Sequence, residues 1–324
     1  MRKALCCLVV VVMASFTALL ARPDESPNDK QARAKKLFDE NNFNEALTLY
    51  RELAVDPETA GPAAAESLSQ AVQSLNNLGR VPEIDALIEE AVTAQAGSWR
   101  VLARAGQIIS GEIESGGFLV AGKFERGYHR GGGQWASAGA RDRVRSLQLL
   151  LAADEQAAKN GAASGVERTT IWSDIAARIG AAQHGEAWKL QDLTDLTTLP
   201  DYEATNGPNY GYGRGGWGQP SKGAPVDVNG QPVFLHMPES WNTAKSDGER
   251  WRWALSRVVE LNNDRRSEID LSWAAFLQSQ FERHRRRSEA RRPFALQQLT
   301  MPMRRRTPVS GRHMNWRTPR RLRS

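Results

Sequence analysis

A mainly α-helical fold of stacked helix pairs, a solenoid carrying one small β-hairpin and a disordered C-terminal tail, is what this sequence predicts. Apolar residues from Asn28 onward recur at spacings of three and four, the pattern that buries one stripe per helix. One helix-pair layout then returns at an offset of 38 residues, near the period of a helix-pair repeat. Nowhere does the chain show the long succession of period-two segments that a file of β-sandwich domains requires. An ordinary helical bundle is the alternative that the same periodicity allows.

The first pair lies in "KQARAKKLFDENNFNEALTLYRELAVDP". Ala34, Leu37 and Phe38 share a face, Asn41 and Asn42 turn the chain, and Phe43, Ala46, Tyr50 and Leu53 share the next face. The second pair, "LSQAVQSLNNLGRVPEIDALIEEAV", aligns Leu68, Ala71, Val72 and Leu75, turns at Gly79, and aligns Ile84, Ile88 and Ala91. "WRVLARAGQII" opens a third unit. "ARDRVRSLQLLLAADEQAAK" is a helix with Val144, Leu147, Leu150 and Leu151 as its stripe, and "TTIWSDIAARI" aligns Ile171, Ile175 and Ile179. Residues 191–224 are glycine- and aromatic-rich and read as a connector without regular structure. Asn229-Gly230 between β-prone runs predicts the hairpin. Ser246 and Glu249 form a capping box ahead of Trp251, Leu255 and Val258, and a last helix aligns Ile269, Trp273, Phe276 and Leu277. The divisions that follow are 1–21, 22–112 for the repeats, 113–190 for a helical continuation with a Gly-rich loop, 191–224, 225–281 for the hairpin and two helices, and 282–324.

The ends of the chain differ from its body. Arg2 and Lys3 precede an apolar run over 4–20 closing on "SFTALLA", the layout of a secretory signal with Ala21 before the cleavage point. An uncleaved anchor is the alternative, the run being close to the roughly 20 residues that span a bilayer. Export predicts a periplasmic or extracellular protein. The two cysteines, Cys6 and Cys7, sit inside the signal, so the mature chain holds neither disulfide nor thiolate chemistry. The formal charge of +6 hides an acidic body, because residues 282–324 carry fourteen Arg against two Glu. All nine Lys lie before that tail. Sudden loss of lysine and apolar periodicity is what a shifted reading frame produces, so the tail is expected not to be evolved protein. Taken at face value it would instead grip nucleic acid or anionic lipid through neutralised phosphates.

One stretch looks chemical. In "FERGYHRGGGQW", Arg126, His129 and Arg130 flank flexible glycine amides, and Arg141, Arg143 and Arg145 follow in the next helix, giving a candidate anion-binding site. The competing and preferred reading pairs these arginines with acidic groups of the body while the loop turns the chain. The stretch lacks the Gly-Lys-Ser/Thr ending of a phosphate loop. Gly211, Gly213 and Gly216 match a dinucleotide pattern, but no strand precedes them and Gln219-Pro220 follows. His129, His184, His236, His284 and His313 show no metal-ligand spacing. The expectation is no catalytic residue, no cofactor and no metal, with an enzyme at the His129 loop as a rival.

Two resemblances extend this. "NNFNEALTLY" and "LGRVPEIDALI" resemble the second half of tetratricopeptide repeats, with Asn41 in place of the usual glycine and both aromatics missing from the second copy. "GGFLVAGKFERGYHRGGGQW", "RDRVRSLQLLLAA", "WKLQDLTDLTTLPDYE", "GAPVDVNGQPVFLHMPESW" and "SDGERWRWAL" together resemble the N-terminal portion of large secreted bacterial alpha-2-macroglobulin-like proteins, over roughly residues 30–281. That resemblance implies a protease inhibitor, in which a cut bait segment triggers entrapment. It carries over no inhibitory residue, since the thioester sequence Cys-Gly-Glu-Gln is absent. The expected function is therefore a non-catalytic, exported interaction or scaffold region, the leading segment of such an inhibitor. Its partner would be a protein or peptide, with proteases involved only through domains beyond this segment.

Overall fold

The computed structural model describes residues 25–128, 130–159, 163–181, 186–204, 227, 229 and 233–290, with side chains up to 280. Ser26 opens the first helix, α1 (Pro27–Asp39): its Oγ accepts from the Asp29 amide at 3.2 Å, and Pro27 occupies a position whose N–H would be unpaired anyway. Asn41 ends the helix at φ 62°, in the left-handed region that asparagine tolerates. The chain re-enters helix as α2 (Phe43–Val55), then α3 (Gly61–Asn77). Gly79, at φ 68°, makes the next reversal. A short 3₁₀ turn, Val81–Glu83, leads into α4 (Ile84–Ala94), and α5 (Trp99–Gly111) follows.

These helices repeat one another in detail. The turn after α1 closes through Asn42 N–H donating to the Leu37 carbonyl at 2.8 Å, and the turn after α3 through Arg80 N–H donating to Leu75 at 2.9 Å. Buried Ala46, Leu49, Tyr50, Leu53 and Ala54 of α2 return in the same order as Ile84, Leu87, Ile88, Ala91 and Val92 of α4. Buried Ser67, Leu68, Ala71, Val72, Ser74 and Leu75 of α3 return as Val101, Leu102, Ala105, Gly106, Ile108 and Ile109 of α5. Helix α2 packs between α1 and α3, and α3 packs on α5.

A small antiparallel sheet interrupts the helices. Strands β1 (Gly116–Val120), β2 (Lys123–Arg126), β3 (Gln134–Ser137) and β4 (Glu203–Ala204) lie in the order β2-β1-β3-β4. Val120 faces Lys123 across a two-residue turn in which Ala121 (φ 49°) and Gly122 (φ 81°) both take positive φ, the twist that suits a tight hairpin. Gly117 is required by its neighbours, since a Cβ there would run into the Glu125 carbonyl and the Phe124 ring.

Helices α6 (Gly139–Lys159), α7 (Gly165–Ile179), α8 (Asp247–Leu261) and α9 (Arg266–Ala290) complete the described chain. Helix α6 packs on α5, and α7 on α8. One hydrophobic cluster runs from Ala34 to Phe276. Its later part is aromatic: Trp172, Trp241 and Trp253 meet edge to face with centroids 5.0–6.2 Å apart, and Trp251 lies 5.0 Å from Phe276.

The mainly helical expectation thus holds, while three details are corrected and one lies mostly outside the described residues. The hairpin sits at β1–β2, inside the stretch expected to continue the helices. The stretch around Asn229-Gly230 lies mostly outside the described residues, and its described part, 233–238, runs without strand. Residues 191–224 are not wholly irregular, because Glu203 and Ala204 pair with Ser137 and Ala136 to extend the sheet. The last helix does not stop at Phe281 but continues to Ala290, which removes 282–290 from the expected disordered tail; 291–324 lie outside the described residues.

Candidate functional site

Strand β2 ends on Arg126, and hairpin pairing turns its side chain inward between α4 and α6. The residue is 3% exposed. Its Nε donates to Asp85 Oδ1 at 3.0 Å, and its Nη1 and Nη2 donate to the two Asp142 oxygens at 2.8 Å each. Nη1 also donates to the Glu114 carbonyl at 2.6 Å. This two-pronged fork is the strong form of an arginine–carboxylate pair. Burial opposes the guanidinium charge, but hydrogen bonds and charges from Asp142 and Asp85 outweigh it and hold Arg126 above its ordinary pKa. Burial also pushes the Asp142 carboxyl up, and Arg126 pulls it back.

The other predicted arginines divide. Arg141 and Arg145 stand near Arg126 and line the same cavity of about 370 Å³ with Asp85, Glu89 and Tyr202. Arg141 donates to the Pro200 carbonyl at 3.0 Å and lies over the Tyr202 ring at 5.0 Å. Arg145 donates to both oxygens of Glu89, at 2.8 and 2.5 Å. Arg143 leaves this group and donates to Asp247 at 2.9 Å and to Thr194 Oγ1 at 2.9 Å. Arg130 is exposed on the loop between β2 and β3, and His129 and the glycines at 211, 213 and 216 lie outside the described residues. The six candidate anion-site residues are therefore not gathered at one place: Arg126, Arg141 and Arg145 converge, but with Asp85, Glu89 and Asp142 among them the cavity carries balanced charge. Gly127, at φ 84°, answers for the loop. It turns the chain against Val81 while its N–H donates to the Gly116 carbonyl at 2.8 Å.

No family model, no curated protein and no solved structure matches the chain. Among the described residues no group of three or more His, Cys, Asp or Glu is placed to hold a metal ion.

A second concavity was not anticipated. Helices α1 and α3 flank a groove of about 460 Å³ whose floor is Phe38 and Tyr50. Asn28, Gln31, Gln70 and Gln73 line its walls. Gln70 Nε2 donates to Glu66 at 2.8 Å. Among the described residues the amides of Asn28, Gln31 and Gln73 have no hydrogen-bond partner. Burial, with the charges of Asp39 and Glu66, pushes the Tyr50 phenol up to about 12, so it stays a neutral donor. The signal was present in the sequence as glutamines at 31, 70 and 73, on positions left polar by the apolar stripes. Periodicity discards such positions as solvated faces, and only the packing of α1 beside α3 makes them one wall.

Proposed function

We propose that this chain is a non-catalytic, exported interaction region whose leading helix pairs stack as degenerate tetratricopeptide-like repeats and receive an extended peptide in the α1–α3 groove. The repetition of buried positions and of turn closures between successive helices supports the stacked-repeat reading. The observation that carries the function is the groove itself, an aromatic floor beneath unpaired amides. Each amide offers both donor and acceptor, which matches the alternating C=O and N–H of an extended backbone. Catalysis at the arginine cluster is disfavoured because its cations are taken up by Asp85, Glu89 and Asp142.

The likeness of five segments to alpha-2-macroglobulin-like proteins supports placing this region at the front of such an inhibitor, with the peptide supplied by a neighbouring domain. Export rests on the apolar run over 4–20, outside the described residues.

A selection from displayed random peptides on the full chain, followed by titration of the recovered peptides, tests the groove. Gln31→Ala with Gln73→Ala, at a half-buried and an exposed position of the groove wall, is expected to weaken them about tenfold, two amide hydrogen bonds to the peptide being lost. Recovered peptides that bind the double variant as tightly as the parent, or a selection with no enrichment, would count against the reading. Coding sequence downstream of this gene that continues as macroglobulin domains in any frame supports the family placement, and its absence removes it.

A further inference from the structure

The later helices hold a separate cavity with a different chemistry. Helices α8 and α9 diverge from the turn Asn263–Arg265 and enclose about 330 Å³ between them. Met237, Leu255, Val259, Ile269 and Trp273 form an apolar lining, and Met237 is 48% exposed at the mouth.

The charges around this lining are unevenly satisfied. Glu260 is held by Arg257 at 2.5 Å. Among the described residues the Arg266 side chain donates only to the Asn263 side chain, at 3.0 Å. Arg252 lies half-buried over the Trp273 ring, 4.7 Å from its centroid, and donates through Nη1 to the Leu235 carbonyl at 2.6 Å. No carboxylate pairs with it among the described residues. Burial alone pulls its pKa down, with no opposing charge. A half-buried guanidinium with donors to spare, beside open apolar surface, is poised for an incoming carboxylate.

We propose that the α8–α9 cavity docks a partner polypeptide through one large apolar side chain, with an adjacent Asp or Glu of that partner pairing with Arg252. Several features select this occupant. The volume suits one large side chain and the stem of its neighbour, and falls at the small end of the roughly 300–1,000 Å³ of small-molecule pockets. Arg252, which has no carboxylate partner among the described residues, disfavours this chain's own tail, whose residues 282–324 are strongly basic. Glu260 and Asp270 on the rim disfavour a run of acids, so a single carboxylate next to the apolar anchor is the matched pattern. The proposal stands apart from the α1–α3 groove, and neither depends on the other.

The test uses the full chain and a labelled pentapeptide, acetyl-Gly-Phe-Glu-Leu-Gly-amide, beside the same peptide with Gln for Glu. Binding is followed by fluorescence polarisation, and the site by methyl resonances of Met237 and Ile269. The Glu peptide is expected to shift both resonances and to bind about tenfold tighter than the Gln peptide, the preference of a desolvated charge pair. Arg252→Gln should abolish that preference, and Arg252→Lys should keep part of it. Failure of the Glu peptide to move these resonances overturns the proposal, as does equal binding of the two peptides. Resonances that instead move with octanoate, or with dilution of the protein alone, overturn it in favour of a fatty acid or a second copy.

Discussion

Removing Arg126 isolates what the arginine cluster does. In Arg126→Met the Asp142 carboxylate stays 8% exposed but loses both of its 2.8 Å donors, while Asp85, 41% exposed at its side chain, is rehydrated. The damage is therefore concentrated on one buried, uncompensated charge. Breaking such a pair from one side costs about 3–5 kcal/mol. The Glu114 carbonyl belongs to an exposed residue and turns to water, adding little. Replacing both partners, Arg126→Met with Asp142→Leu, removes the orphaned charge and should return stability to within about 1 kcal/mol of the parent. Urea unfolding at pH 7 measures both. The pH dependence carries a further sign. In the single variant burial raises the Asp142 pKa with only the charge of Arg141 left to oppose it, so the deficit is full above that raised value and shrinks as pH falls through it, where the carboxyl takes up a proton. A loss below about 1 kcal/mol in the single variant, or a double variant no better than the single, would refute a buried structural brace.

Three other expectations follow from the same geometry. Asp247, 3% exposed, accepts from the Thr194 amide at 3.0 Å and from Arg143 at 2.9 Å; Asp247→Ala should cost about 3 kcal/mol in urea unfolding and speed hydrogen exchange at the Thr194 amide. Leu68 is fully buried on α3, and Leu68→Ala should lower stability by about 2–5 kcal/mol, the upper part of that range applying if the surrounding helices cannot close on the void. The Ser164 backbone amide, followed by the Ser164 hydroxyl and Arg100, holds the Glu167 carboxyl below its usual range. Its contribution to the start of α7 is thus fully present above the ordinary glutamate pKa and is lost as pH falls through the lowered value, read as faster exchange of the Ser164 amide in acid and at all pH in Glu167→Gln.

The helices were legible because their burial follows from spacing alone. Leu68, Ala71, Val72 and Leu75 are all buried, as are Ile84, Ile88 and Ala91, and the turns fall at Asn41 and Gly79. The sheet was not legible, because "GGFLVAGKFERG" carries glycine where strand propensity is judged and its Ala121-Gly122 turn is not among the strong hairpin dipeptides. The capping box at Ser246 is only half made: Ser246 Oγ accepts from the Glu249 amide, but Glu249 reaches back to the Lys245 amide, at 2.7 Å. The complete box lies at Ser164 and Glu167, a Ser-x-x-Glu spacing that lies ahead of the apolar stripe beginning at Ile171 and so outside the stretch that periodicity marks as helix.

The split of the candidate arginines was also contained in their spacing. Positions 141 and 145 are one helical turn apart and share a face of α6, whereas 143 points away from both. Arg141 and Arg145 accordingly face the cavity beside Arg126, and Arg143 crosses to Asp247. Clustered cations in an acidic body fold next to carboxylates, because burying one sign alone is too costly. Density of arginine therefore locates braces. What sets one cation apart is its surroundings, which only the folded chain supplies: among the described residues Arg252 has no carboxylate partner although Arg250, Arg257 and Glu260 lie close in the sequence, because α8 lays it over Trp273 while Glu260 pairs with Arg257.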